Sequence, residues 1–261
     1  MEKMKTIAIM SPKGGVGKTT TADSLAYILG EMGKRVLLIE GDQQGDTSKT
    51  FMAYDPEGVG MSELLERHIS AGGDYYTKEL IRETAFKNVS IIPGNGYLMK
   101  TDMVLLTEQD TDQVTRLRTA LEEVKDEYDY CVCDCGRLFD MVVINILIAA
   151  QLVIAPVKIG GFEVDALNSL EEQVEDLKEL NGDLRIKALL TMKQGNKTTK
   201  EFEEWLKKES GIDVFETAIR RSVVVEKASM MMLPLTAFSK RGNAQRDYWE
   251  LAEEIIREME G

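Results

Sequence analysis

The sequence contains very little histidine and cysteine. Its single histidine is His68, and its three cysteines fall in one stretch, "CVCDC", at Cys131, Cys133 and Cys135. Alternate side chains of a strand share a face but diverge too little to bridge, so we expect no disulfide. A metal centre on these thiols would need further ligands, and the histidine is far away in sequence. We therefore interpret the cysteines as small buried residues of a central strand.

Long hydrophobic runs and low-complexity segments are also absent. No segment approaches the roughly 18 uninterrupted apolar residues of a membrane span, and the N-terminal "MEKMKTIAIM" is too short and wrongly flanked for a signal peptide. Apolar residues make up 43% of the chain and charged residues 30%, which is typical of globular proteins. Because no Pro-, Gly- or Ser-rich linker divides the sequence, we expect one domain over residues 1–261, and we expect it in the cytoplasm.

Basic charge is scarce overall but concentrated in two regions. The formal net charge of -13 argues against a protein that coats nucleic acid with its whole surface. Residues 218–246, however, carry six basic side chains against one acidic side chain, and residues 185–208 carry seven against three. Such clusters can contact phosphates, although each side chain can equally be ordinary solvated surface charge. The candidates for DNA contact are Arg220, Arg221, Lys227, Lys240, Arg241 and Arg246, followed by Lys193, Lys197 and Lys200.

Apolar runs alternate with amphipathic stretches along most of the chain. Near-continuous apolar runs predict buried strands of a parallel sheet, and apolar residues at helical spacing predict helices between them. The alternation predicts an α/β fold with a doubly wound, mostly parallel sheet flanked by helices. Residues 54–87 are the least regular and are expected to place short helices over the sheet edge. The predicted strands are 5–10, 35–42, 89–94, 128–135, 152–158, 185–192 and, more weakly at an edge, 214–219. The predicted helices are 18–32, 97–107, 110–126, 140–150, 162–181, 198–209 and 243–259.

The stretch "SPKGGVGKTT", from Ser11 to Thr20, lies directly after the first predicted strand and directly before the first predicted helix. In that context glycines let backbone N–H groups converge on phosphate oxygens, and the helix N-terminus adds its positive end. Lys18 is then expected to meet the β- and γ-phosphates of a nucleotide, and the Thr19 hydroxyl can bind Mg²⁺. The alternative is a glycine-rich turn that binds nothing. This alternative is disfavoured because Lys18 and Thr19 both stand at the positions that the phosphate-binding motif requires.

Lys13 extends this phosphate loop to the pattern KGGxGK[ST], matched by residues 13–19. With it, the sequence resembles the deviant Walker A ATPases of the ParA and MinD class. The resemblance implies a P-loop NTPase that binds ATP and Mg²⁺ and forms a homodimer when ATP is bound. It also implies that Lys13 crosses the dimer interface to the partner's nucleotide; a solvated loop lysine is the alternative. The implied nucleotide-binding residues are Lys13, Gly14, Gly15, Val16, Gly17, Lys18, Thr19 and Thr20.

Further motifs extend the resemblance over nearly the whole chain. "VLLIEGDQQGDTS" is similar to the family's VLLIDxDPQGNxT, which implies that Asp42 orients the attacking water and Mg²⁺. "YDYCVCDCG" is similar to the Walker B strand YDxxxIDCPP, which implies that Asp134 binds the water shell of Mg²⁺. A carboxylate that ends a buried strand is costly unless it faces a cation or a donor. The implied catalytic residues are Lys13, Lys18 and Asp42, and the implied metal ligands are Thr19, Asp42 and Asp134, partly through water.

The departures from the family pattern fall mainly in the loops that follow the second strand and the Walker B strand. They bear on the shape of these loops and on the hydrolysis rate, but not on nucleotide binding. They indicate a divergent family member, such as one carried by a plasmid or another mobile element. The sequence has Glu40 for Asp, Gln43 for Pro, Asp46 for Asn, Gly136 and Arg137 for a Pro-Pro pair, and Arg220 for Pro.

The resemblance to the ParA branch implies a role in DNA segregation. It implies an ATP-bound dimer that binds DNA without sequence preference on the nucleoid, and a ParB-like partner that stimulates hydrolysis. Two alternatives stay open: a MinD-like positioning protein, and a nucleotide-gated scaffold that hydrolyses ATP only weakly. The acidic C-terminal helix would be repelled by anionic lipid, so we expect no membrane partner. Its apolar residues are expected to pack on the sheet: Trp249, Ala252, Ile255, Ile256 and Met259.

Overall fold

The computed structural model describes residues 4–69 and 73–261, and within them the chain forms seven strands and twelve helices. The strands are β1 (Lys5–Ile9), β2 (Val36–Gly41), β3 (Arg82–Glu83), β4 (Val89–Ile92), β5 (Tyr130–Cys135), β6 (Leu152–Val157) and β7 (Arg185–Leu190). The helices are α1 (Lys18–Glu31), α2 (Asp46–Thr50), α3 (Met61–Leu65), α4 (Thr77–Leu80), α5 (Leu98–Thr107), α6 (Arg116–Glu122), α7 (Met141–Ala149), α8 (Gly161–Leu177), α9 (Lys197–Glu209), α10 (Val223–Met230), α11 (Leu235–Phe238) and α12 (Asn243–Glu260).

The strands form one sheet in the order β3-β4-β2-β5-β1-β6-β7. Every neighbouring pair is parallel except β3 with β4, which is antiparallel. The chain starts near the middle of the sheet and builds outward on both sides, with helices returning it between parallel strands. The predicted α/β fold, with a doubly wound and mostly parallel sheet, is therefore confirmed.

Successive residues of the central strands pack on opposite sides of the sheet. In β1, Ile7 and Ile9 join a core with α1 and α12, whereas Ala8 joins a second core with α7. This alternation explains why β2, β5 and β6 are buried along their whole length, since helices cover both faces. The three cysteines lie on β5, fully buried on the α7 side, and none forms a disulfide. Their predicted place on a buried central strand is confirmed.

The predicted edge strand over residues 214–219 is wrong. Within this segment only Val214 forms a bridge, an isolated one to Ala188 of β7, and a second isolated bridge lies just beyond it at Arg220. Two of its backbone N–H groups, those of Glu216 and Thr217, donate instead to the carboxylate of Glu254 on α12, at 2.8 and 3.0 Å. The side chain from α12 therefore replaces strand hydrogen bonds, which interrupts the ladder.

The helices differ from the prediction mainly where polar side chains hydrogen-bond to the nearby backbone. The predicted helix 110–126 shortens to α6, because Asp112 accepts hydrogen bonds from the backbone of Val114 and Thr115 and forms a turn. Helix α10 was not predicted, although Ser222 caps it by accepting from Val224 N at 3.2 Å. Helix α11 was missed as well, because four residues give no helical period.

Two other expectations are confirmed. Residues 54–87 do contain the short helices α3 and α4, and β3 adds an antiparallel edge to β4. The C-terminal helix α12 turns its apolar side to the sheet: Ala252, Ile255 and Met259 are buried, and Trp249 and Ile256 pack against the same core. In the part of the chain that the structure describes, no helix combines the length and the apolar character needed to cross a membrane.

Candidate functional site

Three of the central strands end at one edge of the sheet and bring the predicted site residues together. Asp134 of β5 is in register with Ile9 at the end of β1 and with Glu40 near the end of β2. The loop after β1 leads into α1, and the loop after β2 carries Asp42. The parallel register therefore assembles, from three separate segments, the phosphate loop and both predicted carboxylates.

The phosphate loop has the backbone shape that its glycines allow. Gly15 and Gly17 have φ angles of 65° and 95°, a left-handed conformation that other residues rarely adopt. No atom lies within 4 Å of the position that a Cβ would take on either residue, so the loop is open on this side. Gly17 precedes α1, whose N-terminus has no side-chain cap and no acidic residue in its first turn. The first backbone N–H groups of α1 therefore suit an anion.

Lys18 lies folded back along this loop. Its Nζ donates to the carbonyl oxygen of Lys13 at 3.4 Å, and the residue is only 8% exposed. Burial lowers the pKa of Lys18, while the charges of Asp134 and Asp42 act in the opposite direction. Lys13 itself is half-buried at the start of the loop. The structure thus places Lys18 against the backbone of Lys13 and within reach of the charges of Asp42 and Asp134.

Asp134 is fully buried in a cluster of acidic side chains. Thr47 Oγ1 lies 2.9 Å from Asp134 Oδ2 and 2.9 Å from Asp23 Oδ1, but one hydroxyl proton cannot serve both carboxylates at once. Burial raises the pKa of Asp134 to about 6, while the hydroxyl groups of Thr19 and Thr47 act in the opposite direction. Burial, and then the charge of Asp134, raise the pKa of Asp23 well above its ordinary value. The cluster holds more negative charge than its donors can stabilise.

Two oxygens of this cluster have no hydrogen-bond partner among the described residues: Asp134 Oδ1 and Glu40 Oε1. A buried, unpartnered carboxylate oxygen is costly, and a divalent cation beside Thr19 would satisfy it. The described residues contain no group of three or more His, Cys, Asp and Glu side chains placed to hold a metal ion. The donor set therefore fits Mg²⁺ held by one or two side chains together with phosphate oxygens and water.

Asp42 lies on the loop after β2, at the rim of a cleft. Its Oδ1 accepts a hydrogen bond from Gln44 N at 3.0 Å, which fixes the turn of the loop. The cleft has a volume of about 440 Å³, and Pro12, Asp42 and Arg137 are among its lining residues. Asp42 is therefore partly open to solvent on the phosphate-loop side, where a water molecule can reach it.

The unusual Glu40 is accommodated by a local change in packing. Its Oε2 accepts from Ser48 N at 2.7 Å, and a Cβ on Gly94 would lie 2.4 Å from its Cγ. Glycine at position 94 thus provides room for the extra methylene. Of the other departures, Gln43 is exposed, and Asp46 begins α2 and pairs with Lys49 at 3.1 Å.

A second cavity lies on the other side of the phosphate loop and was not predicted from the sequence. It measures about 370 Å³, within the range of ligand pockets. Its walls come from the loop itself, from the ends of β6 and β7, from the start of α10 and from α12, so no local pattern could reveal it. Lining residues include Val16, Thr20, Lys158, Met192, Arg221 and Tyr248.

The six basic residues predicted to contact DNA occupy different environments. Arg220 forms an ion pair with the buried carboxylate of Asp247 on α12, with Nε 2.9 and 3.0 Å from the two oxygens. Arg221 lines the second cavity. Lys227, Lys240, Arg241 and Arg246 are exposed, and none has an ion pair within the described ranges. Arg220 thus has a structural role that the sequence did not indicate, and DNA contact by the set stays a prediction.

Of the secondary candidates, Lys197 and Lys200 lie on α9, and Lys193 lies shortly before it. Lys193 pairs with Glu203 and Lys197 with Glu201, whereas Lys200 is exposed. Nearby acidic side chains therefore offset part of the positive charge counted from the sequence.

Comparisons with known proteins bear on both the fold and the family. A family profile described as "AAA domain" matches residues 4–186. The chain is 31% identical to the sporulation initiation inhibitor protein Soj of Bacillus subtilis (strain 168), covering 96% of this chain and 98% of that protein. It is also 31% identical to the chromosome-partitioning ATPase Soj of Treponema pallidum (strain Nichols), covering 97% of both chains.

A solved structure of cobyrinic acid a,c-diamide synthase from Mycobacterium smegmatis, with bound ADP and magnesium, has a TM-score of 0.83 to this chain. Its sequence identity is 23%, and the match covers 99% of this chain and 96% of that chain. At this identity the likeness shows the fold alone. The relatives with 31% identity match over nearly their whole length, and the phosphate loop has the geometry that its motif predicts. The chain therefore belongs to the ParA/Soj family of deviant Walker A P-loop ATPases.

Proposed function

We propose that the chain is a single-domain, Mg²⁺-dependent ATPase over residues 1–261 that dimerises with ATP and acts in DNA segregation. The observation that carries the proposal is one sheet edge with three features: an uncapped helix N-terminus, Lys18 and an unpartnered buried oxygen of Asp134. A metal-bound polyphosphate would satisfy all three at once. The name of the Treponema relative, a chromosome-partitioning ATPase, supports the same activity here.

Each residue of the proposed site has a separate role in the in-line attack of water on the γ-phosphate. The phosphate loop binds the polyphosphate through backbone N–H groups, and Lys18 neutralises its terminal groups. Asp42, at the rim of the cleft, positions the water. Thr19 and Asp134 would hold Mg²⁺ directly or through water, and the ion would offset negative charge on the transferring group. Burial raises the pKa of Asp134, and a bound cation would favour its ionised form.

The cavity of about 370 Å³ beside the loop suits the nucleoside part of the same ligand. It opens next to Val16 and Thr20, so a base placed there would continue directly into the phosphate loop. Tyr248 is buried at its wall, with its hydroxyl 3.1 Å from Thr21 Oγ1. We therefore assign the cavity to the base and ribose, which completes the nucleotide site.

In the proposed ATP-bound dimer, Lys13 reaches the nucleotide of the partner subunit. Lys13→Ala should retain ADP binding, because Lys18 and the loop backbone remain. It should lose the ATP-dependent dimer, because the positive charge that would contact the γ-phosphate of the partner's nucleotide is removed. Sedimentation velocity with ADP and with a non-hydrolysable ATP analogue measures both states. A variant that still dimerises like the wild type with the analogue would contradict this role.

The exposed cations of α10 and of the turn before α12 are the proposed DNA surface, and dimerisation would double it. A ParB-like partner would stimulate hydrolysis and release the dimer from the nucleoid, leaving it in the cytoplasm. Lys240→Glu combined with Arg241→Glu should weaken DNA binding and reduce its salt dependence, while dimerisation is spared. Arg82→Glu, on the distant edge strand β3, is the matched control. An unchanged mobility shift in the double variant would mean that the surface lies elsewhere.

A nucleotide-gated scaffold with little turnover is the second candidate. It is favoured by Glu40, which replaces the Asp of the family pattern and whose carboxylate accepts a hydrogen bond from Ser48 N within α2, so that it connects the end of β2 to α2. A MinD-like membrane role has less support, because the apolar side of α12 is already used in the core.

Phosphate release from ATP, measured with and without DNA and the cognate partner, distinguishes these candidates. The ATPase proposal expects turnover that rises when both are present and is lost in Asp42→Ala, with nucleotide binding retained. If no condition gives turnover and Asp42→Ala behaves as the wild type, the ATPase proposal is wrong and the scaffold remains.

A further inference from the structure

Arg137 follows β5 directly after Gly136, at a position where the family pattern has proline. Its side chain extends over the phosphate loop. The Nη1 and Cδ atoms lie 3.4 and 3.7 Å from the position that a Cβ would take on Gly14. Because Gly14 has no side chain, nothing separates the guanidinium from the loop backbone there. Arg137 also lines the cleft that contains Asp42.

The charge of Arg137 is not neutralised by the protein. It is exposed, and within the described ranges it forms no ion pair, although the carboxylates of Asp42, Asp102 and Asp140 line the same cleft. Burial lowers the pKa of Lys18, and the positive charge of Arg137 acts in the same direction. The two cations therefore repel each other across the loop. An anion bound between Lys18 and Arg137 would attract both cations and so offset their mutual repulsion.

The side chain also has the right chemistry for such an anion. A guanidinium keeps its charge at all relevant pH values and presents a planar set of donors that matches phosphate oxygens. The segment that carries Arg137 is packed at its start, since Gly136 is buried and a Cβ on it would lie 3.5 Å from the carbonyl oxygen of Gly41. The arginine is thus carried by a well-packed strand end beside the phosphate loop.

We propose that Arg137 contacts the γ-phosphate of the nucleotide bound by its own chain and acts there as an arginine finger supplied in cis. The proposal rests on the ATPase function proposed above. In that reaction the oxygen of water bonds to the γ-phosphorus while the bond to the bridging oxygen breaks and ADP leaves with the electron pair. One water proton stays on inorganic phosphate and the other is released to solvent. Arg137 stabilises the negative charge on the γ-phosphoryl oxygens during this step.

The test compares the affinities for ADP and for a non-hydrolysable ATP analogue by isothermal titration in Mg²⁺. The variants are Arg137→Ala and Arg137→Lys, with Arg82→Ala as a control that removes an exposed arginine at the edge strand β3. Arg137→Ala should bind ADP like the wild type but the analogue at least about tenfold more weakly, since one charge-assisted contact is lost. Arg137→Lys should recover part of that loss, and the control should bind both nucleotides like the wild type.

The same titration is repeated with variants that also carry Lys13→Ala in the same chain, so that the contact of Lys13 across the proposed dimer is removed. The loss caused by Arg137→Ala should persist in that background, because the contact lies within one chain. A loss that vanishes there, an equal weakening of ADP, or unchanged discrimination would each overturn the assignment. If the wild type binds neither nucleotide, the proposed ATPase function itself fails, which separates that failure from failure of the role of Arg137 alone.

Discussion

Buried aspartates occupy two contrasting regions of this protein. Asp247 on α12 accepts hydrogen bonds from the backbone N and the guanidinium of Arg220, so its charge is neutralised and its oxygens have donors. Asp134 on β5 is equally buried, but it shares the Thr47 hydroxyl with Asp23 and keeps Oδ1 without a partner. Burial alone therefore does not distinguish a carboxylate that is paired within the fold from one that we propose binds a ligand. The number of hydrogen-bond donors around the carboxylate does.

The largest expected effect comes from removing the satisfied carboxylate. Asp247→Ala should lower the free energy of unfolding by about 2–3 kcal/mol, because it leaves the Arg220 backbone N–H and guanidinium without their acceptor. Urea unfolding of the ligand-free protein measures this change. An unchanged urea midpoint would contradict the contrast between Asp247 and Asp134, since it would mean that the well-paired aspartate contributes nothing to the stability of the fold.

The unsatisfied carboxylate should respond with the opposite sign. Asp134→Asn should raise the free energy of unfolding of the ligand-free protein by about 1 kcal/mol above neutral pH, because the raised pKa of Asp134 means that its ionised form is penalised in the fold. The same unfolding experiment, with a chelator present, provides the measurement. A loss of stability as large as that of Asp247→Ala would show that both aspartates are structural.

A third effect is a pH dependence at Asp23, whose folded pKa lies well above its ordinary value of 3.8. A carboxyl group with a raised folded pKa stabilises the fold fully only below its unfolded pKa, and stability is lost as pH rises toward the folded value. The stability difference between Asp23→Asn and the wild type should therefore grow in favour of the variant as pH rises above about 4. Melting temperatures measured across that range provide the check. A difference that is constant with pH would mean that Asp23 does not carry this cost.

The sequence predicts most of the fold and the position of the glycine loop in the candidate site, because those features depend on short stretches. The loop from Ser11 to Thr20 contains its glycines, lysine and threonine within ten consecutive residues. Asp42 directly follows the apolar strand β2 and Asp134 is the next-to-last residue of the apolar strand β5, and parallel strands end at the same edge of the sheet. Local pattern and family resemblance are sufficient for these features.

The remainder depends on contacts between distant segments. Thr47 and Asp23 join Asp134 across three elements, and nothing near either residue in sequence indicates that contact. The pair of Arg220 and Asp247 spans 27 residues, so Arg220 was counted as available surface charge. The predicted strand at 214–219 was wrong for the same reason, since Glu254 on a later helix accepts the hydrogen bonds of the Glu216 and Thr217 backbone N–H groups in its middle.

The central claim is that the unsatisfied carboxylates beside the phosphate loop form a site for a metal-bound nucleotide. The most direct test is the stability gained by the wild type and by Asp134→Asn when Mg²⁺ and a non-hydrolysable ATP analogue are added together. At a ligand concentration of 100 times Kd, the wild type should gain about 2.7 kcal/mol, and the gain should require the metal. Asp134→Asn should lose the part of the gain that depends on Mg²⁺. A variant stabilised by metal and analogue as strongly as the wild type would contradict the claim.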